Sequence, residues 1–190
     1  LVTERQKKVI IMSRRNILIL ALAGLALVAF AVVGTVAVMT LAVQTPRVPS
    51  DAALFVVDTD NVVAEDGRKW AWNDDANASA SEIDAEAPLS CPTGSTNSAS
   101  FMAMPGNERN VASWSMWEFL GYGGDQTSIL LAPLTPDRMG SGSGQAIHQT
   151  GGTFSLGVAC IANNNLDVTA AYYRTIVVQP GGAWTVEPLK

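Results

Sequence analysis

The uncharged run Ile17–Val43, ILILALAGLALVAFAVVGTVAVMTLAV, constrains the fold of this chain more than any other feature. Coiled as an α-helix at about 1.5 Å per residue it would be roughly 40 Å long, more than the ~30 Å hydrocarbon core of a bilayer. A small soluble domain cannot bury a helix of that length, and a secretory apolar region is typically only ~7–15 residues. Thr40-Leu41-Ala42 has the small-x-small form of a cleavage site, but no cysteine lies near it to mark a lipoprotein. The run is expected to be an uncleaved transmembrane helix.

Charge orients it. Arg5, Lys7, Lys8, Arg14 and Arg15 precede the run, opposed only by Glu4, out of twelve basic and seventeen acidic residues in the whole chain. The residues beyond the run therefore carry about −9 in total. The positive-inside rule places residues 1–16 in the cytoplasm as a basic tail, 17–43 in the plasma membrane, and the acidic remainder outside the cell. Residues 44–50 (QTPRVPS) read as a linker, because Pro46 and Pro49 end a helix and favour an extended exit. Residues 51–190 are enough for one self-sufficient core but hardly two. An acidic outer domain disfavours nucleic acid, since phosphate binding needs a basic face.

Within the span, Ala23, Ala26, Gly34 and Ala37 fall near one side at about 100° per residue. Small residues allow close helix–helix approach in lipid, so this is the candidate packing face toward a partner helix. A second small-residue stripe runs through Gly24, Ala31, Thr35 and Ala42.

The outer part reads as β. Leu54–Val57 and Val62-Val63 are short strand candidates, Asp66-Gly67 a tight turn, and Lys69-Trp70-Ala71-Trp72 a strand with both tryptophans on one face. Asn73–Ser90 reads as an acidic surface loop, Ala99–Met104 as a strand, and Arg109–Leu120 as strand or irregular. Ile129–Leu134 reads as an edge strand interrupted by Pro133, and Thr135–Gly144 as a mobile loop. The C-terminal fifty residues alternate most clearly. Phe154, Leu156, Val158 and Cys160 share one face, and Asn163-Asn164-Asn165 supplies a turn tolerant of left-handed angles. Leu166, Val168, Ala170, Tyr172, Ile176 and Val178 return on one face, with Arg174 the exception. A last short strand covers Ala183–Val186. Period two over this length predicts an antiparallel sheet with one buried face.

Cys160 points inward in that alternation, Cys91 is its only available partner, and an extracytoplasmic location permits a disulfide. Closing a loop of roughly 70 residues stabilises a domain by about 4 kcal/mol in the chain-entropy model. The Cys91/Cys160 separation, with Trp114 and Trp117 between, resembles an immunoglobulin-like sandwich. It departs from that pattern at Pro92, in its long Trp spacing, and at Val158, where a tyrosine corner would place Tyr. The predicted fold is mainly β: one transmembrane α-helix followed by an Ig-like antiparallel β-sandwich with one disulfide, with an irregular β-sandwich as the second choice.

Chemistry-bearing motifs are scarce. His148 is the single histidine and is read as a surface residue. The run Gly140-Ser141-Gly142-Ser143-Gly144 has Gly where a nucleophile elbow needs Ser, and it lacks the spacing and following helix of a dinucleotide loop. Asp58, Asp60 and Asn61 fall out of register with a calcium loop. Haem, copper and zinc spacings do not occur, so no cofactor and no metal are expected. Of Trp70, Trp72, Trp114, Trp117 and Trp184, most are expected in the core, with a glycan or partner surface as the alternative.

The Ala/Val-rich span, the compact β domain and the hairpin GGTFSLGVAC…AYYRTIVV resemble small actinobacterial envelope proteins. More narrowly, size and topology resemble a single-pass accessory subunit of the actinobacterial respiratory supercomplex that joins cytochrome bc to an aa-type oxidase. That resemblance implies a non-enzymatic role without a redox group, in assembly, stability or docking on the outer face. The expected partners are other integral membrane subunits and the lipid bilayer, with no small-molecule substrate. The competing expectations are a surface adhesion or cell-wall-binding domain and a secreted hydrolase built around His148.

Overall fold

A computed structural model describes residues 49–120 and 127–189. The expected span Ile17–Val43, its Ala23/Ala26/Gly34/Ala37 face and the basic tail lie outside the described residues. Among the described residues no helix is long and apolar enough to cross a membrane.

The strands are β1 (Phe55–Val57), β2 (Lys69–Trp70), β3 (Asn77–Ser79), β4 (Leu89–Ser90), β5 (Asn97–Ala103) and β6 (Trp114–Phe119). Beyond residue 127 come β7 (Ser128–Ile129), β8 (Ser141–Gly142), helix α1 (Gly144–Thr150), β9 (Gly152–Ala162), β10 (Asp167–Val178) and β11 (Trp184–Val186). Seven strands join in one antiparallel sheet of order β2-β11-β10-β9-β5-β6-β8. Its backbone is the β9–β10 hairpin that the alternation predicts. Asn163, Asn164 and Asn165 turn it with φ of 50°, 55° and 69°, a conformation that Asn tolerates better than other L-residues.

The Ig-like expectation requires correction. The strands do not form two facing sheets of comparable size; β1–β3 and β4–β7 are separate two-stranded ribbons beside the seven-stranded sheet. The physical reason is composition. Residues 73–90 and 127–140 have too little apolar alternation for a second sheet, so short ribbons and loops bring Leu54, Val56, Ala78, Leu89, Ile129 and Leu134 into the main core instead. There they meet Leu156, Val158 and Cys160 of β9 and Tyr172, Ile176 and Val178 of β10.

The sheet is also buried on its other face, not on one alone. Ala99, Phe101, Ala103, Trp114, Ala159, Ile161, Ala171 and Tyr173 form a second cluster. Phe101 stacks on Trp114 with centroids 4.7 Å apart and meets Tyr173 edge-on at 6.5 Å. Alanines and Gly157 hold this face close to the backbone, which disguises it as an outward row in the sequence. Val168 joins it because a bulge between Val168 and Ala170 shifts β10 by one residue, and a one-residue shift moves a side chain to the opposite face. Leu166, expected on the inner face, is 74% exposed beside the turn.

Three polar arrangements, the first two buried, fix the loops. Glu108 accepts from the Gly106 N–H and from Ser155 Oγ at 2.6 Å, while its carbonyl receives Trp114 Nε1–H at 2.9 Å. Arg174, the exception on its strand face, is buried and donates to the Leu54 carbonyl (3.2 Å), the Glu187 carbonyl (2.5 Å) and Asp66 Oδ1 (2.6 Å). One guanidinium thus ties three chain segments to β10. At the start of the domain, Asp51 N–H donates to the Ala171 carbonyl, Ala171 N–H to Asp51 Oδ2, and Tyr173 N–H to Ser50 Oγ. Ser50-Asp51 thereby covers the β10 edge left free by the short β11.

Candidate functional site

The predicted disulfide is present. Cys91, just after β4, joins Cys160 of β9 with Cα atoms 5.6 Å apart. It ties the β4–β7 ribbon to the sheet. Tyr172 Oη–H donates to the Ser90 carbonyl beside it, and burial pushes the Tyr172 hydroxyl pKa above its ordinary value. Both cysteines are buried, and the bond is a structural staple.

The tryptophans separate into distinct roles. Trp70 and Trp184 are buried and stacked, centroids 5.3 Å apart, with the Arg68 guanidinium 4.2 Å above Trp70. Trp184 Nε1–H donates to the Ala71 carbonyl, whereas Trp70 Nε1 has no partner among the described residues. Trp114 is core and Trp117 packs half-buried against the second cluster. The reading of Trp70 and Trp72 as one strand face is corrected: β2 ends at Trp70, and Trp72 departs to the rim of a cleft.

That cleft has a volume of about 510 Å³. One wall is helix α1, where the sequence reading placed no helix after the Gly/Ser run. Gln145-Ala146-Ile147-His148-Gln149 folds into it because Ile147 anchors an inner side. Gly151 (φ 67°) then ends it in a left-handed conformation, with its N–H on the Ile147 carbonyl at 2.8 Å. The spacing i, i+3, i+4 puts Gln145, His148 and Gln149 on one helix face, and all three line the cleft. The opposite wall is the 3-10 turn Pro136–Arg138 with Asp137, then Ser141 of β8; Met116 of β6 also lines it. Thr135–Gly144, expected as a mobile loop, therefore carries regular structure. Its β8 residues pair with Met116 and Trp117.

Trp72 and His148 are held against each other. Their rings meet at 80° with centroids 5.4 Å apart. The Trp72 carbonyl accepts the Asp137 N–H at 3.2 Å, and the His148 carbonyl accepts the Gly181 N–H at 2.8 Å. A Cβ on Gly182 would lie 2.3 Å from His148 Cδ2 and 2.9 Å from Trp72 Cβ, so only glycine permits the packing. His148 is accordingly half-buried rather than a plain surface residue. The one signal for this site in the sequence was the helix-forming QAIHQ stretch ahead of a Gly-Gly stop.

Ser141, Asp137 and His148 share the cleft, but among the described residues no hydrogen bond joins any two of them. Asp58 is occupied by its own turn. Its carboxylate accepts the Asp60 and Val62 N–H groups and pairs with Arg68 at 2.6 Å, and the Arg68 hydrogen bond is the largest cause holding its pKa below the usual carboxylate value. Among the described residues no group of three or more His, Cys, Asp or Glu side chains could hold a metal ion. No family model, curated protein or solved structure matches this chain significantly.

Proposed function

We propose that this chain is a membrane-anchored protein whose disulfide-bonded β domain sits outside the cell and acts as a non-catalytic accessory subunit of a larger membrane complex. The observation that carries the reading is the way the domain begins. Ser50 and Asp51 are bonded along the β10 edge, and Asp51 also pairs with Arg109 at 2.5 Å. Only Gln44–Pro49 then separates the apolar run from ordered β structure, and two of those residues are prolines. A tether this short suits a docked subunit better than an adhesin on a flexible stalk. The buried Cys91–Cys160 bond supports an oxidising compartment. In its narrowest form the proposal is an actinobacterial cytochrome bc–oxidase supercomplex, with the β domain on the outer face.

Extraction from native membranes in mild detergent tests it. Co-purification of integral membrane subunits at fixed stoichiometry is the expected result. Recovery of the protein as a monomer without them refutes the assembly role.

A further inference from the structure

We infer that the cleft between Trp72 and helix α1 is a binding site for a short neutral saccharide. It combines what a sugar ring requires of a protein: an indole for the apolar C–H face, and planar polar groups for the hydroxyl fringe. Trp72 supplies the first. Gln145 and Gln149 each offer amide donors and acceptors, His148 adds one ring nitrogen of each kind when neutral, and Asp137 adds acceptors. Among the described residues none of these four side chains is committed to a hydrogen bond or ion pair within the chain.

Other ligand classes fit less well. An apolar ligand would strip water from four polar side chains and leave them unpaired, at a cost for each one. An anionic ligand would meet Asp137 in a cleft that no Lys or Arg among the described residues lines; the neighbouring Arg138 is already paired with Asp75 at 2.6 Å. The volume of about 510 Å³ falls within the ~300–1,000 Å³ of small-molecule sites.

The site is also built in advance of any ligand. Gly182 lets His148 and Trp72 lock together, and the Asp137 N–H on the Trp72 carbonyl sets the opposite wall. A rigid aromatic loses little freedom on binding, which favours affinity for a small polar ligand. This inference does not depend on the accessory-subunit reading, because it concerns the cleft alone.

The test uses the full-length protein in a detergent without a sugar headgroup, titrated with maltotriose and with the N-acetylglucosamine trimer. Tryptophan fluorescence and calorimetry read the binding. Saturable binding of at least one trisaccharide at roughly millimolar affinity is expected. The Gln145→Ala/Gln149→Ala double variant is expected to weaken it about thirtyfold, loss of two hydrogen bonds at about 1 kcal/mol each having that effect. Trp72→Ala should abolish it. Both glutamines are exposed, so the double variant decides the matter even if Trp72→Ala unfolds. Failure of both trisaccharides to bind, undiminished binding in the double variant, or preference for a uronic-acid trimer would each overturn the inference.

Discussion

Replacing Arg174 tests whether one buried cation organises the domain. Its side chain is 5% exposed, and its three acceptors belong to segments distant in sequence: Leu54, Asp66 and Glu187. Arg174→Met keeps most of the stem volume and removes every donor. Leu54 is fully buried, so its carbonyl loses its donor where water cannot replace it, at about 1–3 kcal/mol. The Glu187 carbonyl is half-buried and Asp66 is 41% exposed, so both rehydrate in part and add about 1 kcal/mol together. The total is about 2–4 kcal/mol. Asp66→Asn leaves both carbonyl bonds intact and should cost only about 1 kcal/mol. Arg174→Lys should fall between them, since an ammonium cannot span three acceptors held in a fork. Urea titration followed by tryptophan fluorescence measures all three, with stability taken from the midpoint at constant slope. If Arg174→Met unfolds within about 0.5 kcal/mol of the parent, or if Asp66→Asn is the more damaging change, the hub assignment is refuted.

Other contacts make equally definite demands. Cys91→Ala/Cys160→Ala opens a loop with a sequence separation of 69 and should cost about 4 kcal/mol in the same titration; a loss below about 1 kcal/mol would mean that the unfolded chain is already constrained. Gly157→Ala places a Cβ 2.0 Å from the Tyr172 carbonyl oxygen and 2.6 Å from Tyr173 Cβ, and should cost about 3 kcal/mol or prevent folding, whereas unchanged thermal stability would show that β9 and β10 can separate freely. Asp58 has its pKa lowered in the fold, so its contribution is fully present above the ordinary carboxylate value of about 4 and is lost as pH falls through its folded value. The melting-temperature gap between the parent and Asp58→Asn should therefore be present near about pH 6 and vanish in stronger acid; a gap independent of pH would remove the ionic explanation.

Much of the β domain was legible in the chain because its signals are local. Alternation over Phe154–Cys160, the Asn triplet and the renewed alternation after it define the β9–β10 hairpin, since strand period and left-handed tolerance depend only on neighbouring residues. The inward direction of Cys160, with a single possible partner, did the same for the disulfide. The apolar run Ile17–Val43 carries its own expectation by length alone, independent of anything the β domain does. Other features depended on contacts between segments far apart. The second core was hidden because close-packed sheet faces can be lined by Ala and Gly, which read as neutral in a hydrophobicity pattern. Val168 changed faces through a bulge that no periodicity announces. Arg174 looked like an interruption until Leu54, Asp66 and Glu187 surrounded it, because a buried charge is tolerable only when its partners arrive from elsewhere in the chain. The cleft is the clearest case. Trp72, Asp137, His148 and Gly182 have no spacing that relates them, and only the packing of α1 against the turn between β10 and β11 makes them neighbours. Local stereochemistry, written into the sequence, determined the β9–β10 hairpin and the staple, while the tertiary structure alone decided which polar and aromatic side chains would share one site.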